Sequence, residues 1–148
     1  MIDTTLIDRI PAMTTDQHVS DYPNTVIHFF ADGSLVVDLT KPLPEDLVAR
    51  MEERALGPTF AVITACNPRG HRLDDRWNRN LTRALREDVE RLGVVWEPAT
   101  GVSLDGTHQE EGVVLSIAKE DARQLARKFA QTAFFWFDGD AVCVVPSD

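Results

Sequence analysis

Residues 60–81 read FAVITACNPRGHRLDDRWNRNL. An apolar run delivers Thr64, Cys66 and Asn67, an Asn67-Pro68 turn follows, and the next helix carries Asn78. At about 100° per residue, Trp77, Leu81, Leu85, Val89 and Leu92 share one apolar arc of that helix. Asn78 projects inside this arc and Asn80 outside it. An unpaired buried carboxamide costs on the order of 1–3 kcal/mol. Asn78 is therefore expected either to tie the first helical turn to neighbouring backbone or to line a polar pocket beside the turn. Asn before Pro is also an ordinary turn starter, which accounts for Asn67 without a ligand.

Acid–base and nucleophilic groups lie nearby in sequence. Glu110 and Glu111 close a stretch, EPATGVSLDGTHQE, that reads as a long loop of the kind often used for function. If it folds over the Asn-Pro turn, carboxamides, the Thr64 hydroxyl and a carboxylate converge in one concave spot. Cys66 with His71 or His108 has the composition of a thiol nucleophile and its base. Free cysteines, however, are more often small buried hydrophobes. His108 with Glu110 and Glu111 matches no established metal-ligand spacing. Without a phosphate-cradling glycine motif either, no metal and no cofactor is expected.

The elements that must position these residues can be read from pattern. Residues 1–20 lack periodicity and are expected to be irregular, leaving residues 21–148 as one domain. Residues 24–40 read as a hairpin turning at 31–34. A short helix follows, with Pro44 in its first turn, Gly57 at its end, and Leu47, Met51 and Ala55 inward. Phe60 to Ala65 reads as a strand buried on both faces. Asp74 or Asp75 caps the next helix and Gly93 ends it. Strands begin at Val94 and Val113, and Ala122, Leu125, Ala126 and Phe129 mark an amphipathic helix. A last hairpin turns at 138–140. The order ββαβαββαββ predicts an α+β domain: a mixed sheet with about three helices, its central βαββαβ portion ferredoxin-like and flanked by N- and C-terminal hairpins.

Bulk properties narrow the function classes. A chain of 148 residues, 43% hydrophobic and 26% charged, is globular and large enough for one core. No apolar run reaches the roughly 18 residues that cross a bilayer. The N-terminus lacks a basic region ahead of an apolar one, so no secretory signal is expected. Two cysteines without metal spacing fit reduced thiols in a cytoplasm. A net charge of −9 argues against general nucleic-acid binding. That charge is uneven: residues 69–86 hold six arginines against two aspartates, a surplus of four, so the remainder carries −13. Arg76, Arg79, Arg83 and Arg86 form a stripe opposite the apolar arc. Such a stripe is ordinarily a solvated face, and otherwise an anion or partner face.

From about Thr25 to Val145 the chain resembles a bacterial family catalogued as domain of unknown function 3293. The resemblance rests on ITACNP (63–68), Asn78 fifteen residues before Gly93, ATGVSLDG (99–106), the Glu110-Glu111 pair and ARKFAQTAFFW (126–136). It implies a fold and recurring polar positions, namely Thr64, Asn67, Asn78, Glu110 or Glu111, and Gln131, but no activity. The sequence departs from the pattern at Arg69 to His71, at His108 and at Ala130. Three functions are compatible with these residues. The first is a binding or regulatory domain with a polar small-ligand pocket at that cluster. The second is a protein-interaction module of inhibitor or immunity-like type. The third is an enzyme with a glutamate base and Asn, Thr and Gln orienting groups.

Overall fold

A computed structural model describes residues 24–148. The expectations for residues 1–20 and for the N-terminal boundary lie outside the described residues. Among the described residues seven strands and three α-helices follow one another in chain order: β1 (Thr25–Phe29), β2 (Leu35–Asp38), α1 (Leu47–Glu52), β3 (Phe60–Thr64), α2 (Asp75–Leu92), β4 (Trp96–Ser103), β5 (Gln109–Leu115), α3 (Lys119–Lys128), β6 (Ala133–Phe137) and β7 (Val142–Pro146). The strands form one sheet in the order β2-β1-β4-β5-β3-β6-β7. Within it, β5 lies between β3 and β4, and β3 between β5 and β6, the split arrangement of a ferredoxin-like core. The terminal hairpins extend this core at both edges. The α+β architecture is as expected, whereas the sheet is antiparallel in every ladder rather than mixed. The α2 and α3 crossovers each skip one strand and the α1 crossover skips three, so neighbours in the sheet run in opposite directions.

The continuous apolar run of β3 is explained by burial on both faces. Ala61 and Ile63 face α2 and α3, where Leu81, Leu85, Val89, Leu125 and Phe129 pack on them. Phe60 points the other way, into a second cluster with Phe29, Leu47, Met51 and Phe137. Phe60 and Phe137 stack with ring centroids 4.9 Å apart, and Phe29 meets Phe60 edge-on at 6.0 Å. Lys128 Nζ reaches both oxygens of the buried Asp88 carboxylate, at 2.9 and 3.1 Å, joining α3 to α2.

Local signals operate where the chain has no choice. The Asp74 side chain accepts the Trp77 N–H at 2.9 Å, and Gly93 ends α2 in the left-handed region. Three expectations need correction. Helix α1 stops at Glu52, so Ala55 is exposed at φ 59° and Leu56 takes the inward place. Leu92, placed in the apolar arc by the helical wheel, is 52% exposed, whereas Val89 one turn earlier is fully buried. The supposed long loop of residues 97–110 is mostly strand: β4 runs through Ser103 and only 104–108 turn. Its glycine and proline signals are outweighed by pairing on both sides, with β1 and β5.

Two glycines on the face away from α2 and α3 differ in kind. A Cβ at Gly112 would clash with the Ile63 carbonyl oxygen, a backbone atom that cannot yield, whereas one at Gly101 meets only ordinary contacts, Thr25 Cγ2 at 3.5 Å. Gly112→Ala is expected to lower stability by about 1–3 kcal/mol. Gly101→Ala should stay within about 0.5 kcal/mol of the natural chain. Urea unfolding of the two variants checks both; equal effects would show that backbone crowding at Gly112 is not the constraint.

Candidate functional site

The turn after β3 is built around Asn67. Its backbone sits at φ 48°, a left-handed conformation that Asn tolerates better than most residues, and it is 4% exposed. Its N–H donates to Asn78 Oδ1 at 2.9 Å, and its Oδ1 accepts from the Leu73 N–H at 2.9 Å and from Asn78 Nδ2 at 3.0 Å. Its Nδ2 donates to Glu110 Oε1 at 2.8 Å. One buried carboxamide thus joins the turn, the first turns of α2 and strand β5. Arg69, also at positive φ, is held there by its N–H donating to the Ala130 carbonyl at 2.7 Å.

Asn78 points toward the turn, as the wheel predicts, and is half-buried. Its amide is spent on Asn67 and, at 3.4 Å, on the Leu73 carbonyl. Thr64 donates its hydroxyl to the Glu111 carbonyl and accepts the Cys66 N–H, both at 3.0 Å. Gln131 is buried and donates to the carbonyls of Cys66 and Phe129, fixing the α3–β6 connection under the end of β3. The Glu111 side chain is exposed, and only its backbone carbonyl joins the cluster. Alternation along β5 explains the split: Glu110, Gly112 and Val114 share the face away from α2 and α3, and Glu111 has the opposite one.

On that face lies a cavity of about 370 Å³. Ile27, Val62, Ala99 and Phe135 contribute apolar lining; Thr64, Glu110, His108 and Arg72 contribute polar groups. Its room comes from β4, where Ala99, Gly101 and Ser103 all fall on one face with little bulk. The period-two run of small residues is visible in the sequence but means something only once 99–103 is known to be a strand. Of the six expected pocket residues, Thr64 and Glu110 line the cavity, Asn67 and Asn78 brace Glu110 from behind, and Gln131 and the Glu111 side chain lie elsewhere. His108 Nε2 stands 3.9 Å from Glu110 Oε1. At the cavity's rim, hydrogen bonds from Ser103 and Thr107 hold the Asp105 carboxyl down to a pKa of about 2, so it stays charged.

The remaining candidates separate clearly. Cys66 is buried, and desolvation pushes its thiol pKa upward, the reverse of what a thiolate nucleophile needs. Its Sγ lies 3.7 Å from the Thr82 hydroxyl and 3.5 Å from the Glu111 carbonyl. Among the described residues no group of three His, Cys, Asp or Glu side chains could hold a metal ion. Arg76, Arg79 and Arg83 are exposed, but Arg86 leaves the stripe: it donates to the Gly112 carbonyl at 3.1 Å and lies 5.9 Å from the Trp96 ring centroid.

Asn78→Ala should cost about 1–3 kcal/mol in urea unfolding, because it strands the buried Asn67 N–H. A loss below about 0.5 kcal/mol would show that Asn78 does not hold the turn. An aromatic disulfide reagent should titrate one thiol, exposed Cys143, in the folded protein and both thiols in denaturant; immediate reaction of both would contradict the burial of Cys66.

Among the described residues no helix is long and apolar enough to cross a membrane. No curated protein and no solved structure matches the chain. A family model described as protein of unknown function (DUF3293) matches residues 63–134, from the end of β3 to the start of β6, and so spans the Asn67 turn, α2 and Glu110. Over that segment, just under half of its length, the chain is similar to the DUF3293 family.

Proposed function

We propose that the chain is a cytoplasmic small-molecule-binding or regulatory domain whose ligand occupies the cavity on the open face of the sheet. The observation that carries this reading is the 2.8 Å hydrogen bond from Asn67 Nδ2 to Glu110 Oε1, which fixes a half-buried carboxylate at the edge of a cavity of about 370 Å³. Small-molecule sites typically run from about 300 to 1,000 Å³, mostly apolar with a few placed polar groups. A carboxylate already held in position loses little freedom when it takes a ligand's donor, which favours binding. A ligand with an apolar body against Val62, Ala99 and Phe135 and a hydroxyl or amine toward Glu110 fits this lining. Free Cys66 and Cys143 agree with a reducing compartment.

A second reading has a specific observation in its favour. Glu110 and His108 lie 3.9 Å apart at the cavity, within range for a proton to pass between them through a bound hydroxyl or water. The domain would then be an enzyme with Glu110 as base and Asn67 as its orienting partner.

Thermal-shift screening against a library of polar metabolites, with native mass spectrometry of protein purified from cells, tests the cavity. Some compound is expected to raise the melting temperature. Gly101→Leu, which fills the cavity, and Glu110→Gln, which removes its charge, should each abolish that shift while circular dichroism stays unchanged. A shift that survives Gly101→Leu would move the ligand elsewhere. Turnover of the bound compound by the natural chain, lost in Glu110→Gln, would favour the enzyme.

A further inference from the structure

The basic side chains of this acidic protein are mostly spoken for. Arg50 pairs with Asp46, Arg54 with Glu97, Arg123 with Glu120 and Lys128 with Asp88. Arg69, Arg76, Arg79 and Arg83 are all exposed, and among the described residues none of them forms an ion pair. Local acids among the described residues do not pair with them. Asp75 precedes Arg79 by four residues and Glu87 follows Arg83 by four, a spacing that can pair on a helix, yet neither pair forms. With 24 carboxylates and only 15 Lys and Arg in the chain, a shortage of acids does not explain this.

Arg76, Arg79 and Arg83 fall within an arc of about 60° on α2, at about 100° per residue. They span about 10 Å of helix, at roughly 1.5 Å per residue. Arg76 stands in the first turn of α2, the end where a cation works against the helix dipole. Arg69 is a further exposed arginine on the turn that precedes α2 in the chain. Each guanidinium offers a planar fork of donors suited to carboxylates.

We infer that Arg76, Arg79 and Arg83 of α2 form a docking face for a short carboxylate-rich segment of another protein. The dimensions favour that partner over a nucleic acid. A polyanion gains affinity by covering many cations in a row, and here the row ends after about two turns, on a chain whose remainder carries −13. A short acidic segment can satisfy the row without reaching that remainder, and charge complementarity then sets orientation and association rate. The inference does not depend on the cavity, which lies on the other side of the sheet from α2.

Fluorescence anisotropy of a labelled hexaglutamate peptide with the full chain tests it, beside an oligothymidylate of equal charge and phosphatidylserine–phosphatidylcholine vesicles. The peptide is expected to bind at low salt and release at high salt. Arg76→Ala/Arg79→Ala/Arg83→Ala should weaken binding about tenfold with the melting temperature unchanged; Lys41→Ala/Lys119→Ala should change it less than about twofold. Absence of salt-sensitive peptide binding, an equal loss in the lysine variant, or tighter binding of the oligonucleotide or the vesicles would each overturn the assignment.

Discussion

A buried carboxamide must find partners for its donors and acceptor, and Asn67 finds them in three separate parts of the chain. It takes the Leu73 N–H and the Asn78 amide from the helix side and gives its own Nδ2 to Glu110 on β5. Because each unmade bond would cost on the order of a kcal/mol or more, the turn, the start of α2 and the end of β5 cannot shift independently. The left-handed backbone at residue 67 follows from the same constraint: that conformation lets the N–H and the side chain of one residue both meet Asn78.

The position of Glu110 follows from that junction. Strand alternation puts it on the open face, and Asn67 then chooses where its carboxylate sits. Gly112, two residues along on the same face, allows β5 to approach the Ile63 carbonyl more closely than any side chain would permit. Small residues of β4 leave space opposite. Thr64 and Gln131 stabilise the frame by tying loose carbonyls, those of Glu111, Cys66 and Phe129. Polar groups in this family segment thus divide into those that build the junction and those that face the cavity, and Glu110 does both.

Charge is distributed on a different logic from burial. The buried Asp88 carboxylate is paired with Lys128, and the rim carboxylate of Asp105 is held by hydroxyls and a backbone N–H. The bare arginines of α2 stand apart from this pattern, on the helix whose opposite side supplies Leu81, Leu85 and Val89 to the core. One helix therefore braces the junction at its first turns, fills the core with one face and shows a cationic surface with another.

The amino-acid sequence by itself determined what depends on neighbours within a few residues. Asp74 and Gly93 bound α2, the 3.6-residue period put Leu81, Leu85 and Val89 inward, and Asn78 was aimed at the turn by its place on that wheel. The order of elements and their α+β class were legible for the same reason. Tertiary structure alone decided whether residues 97–103 are loop or strand, because Gly101 and Pro98 read as breakers until β1 and β5 pair on either side. It alone separated Glu110 from Glu111, since the face of a strand is set by register across the sheet. It also withdrew Arg86 from the stripe by offering it the Gly112 carbonyl, a partner 26 residues away. Distances in sequence carry no information about such contacts; they exist only once the sheet has closed.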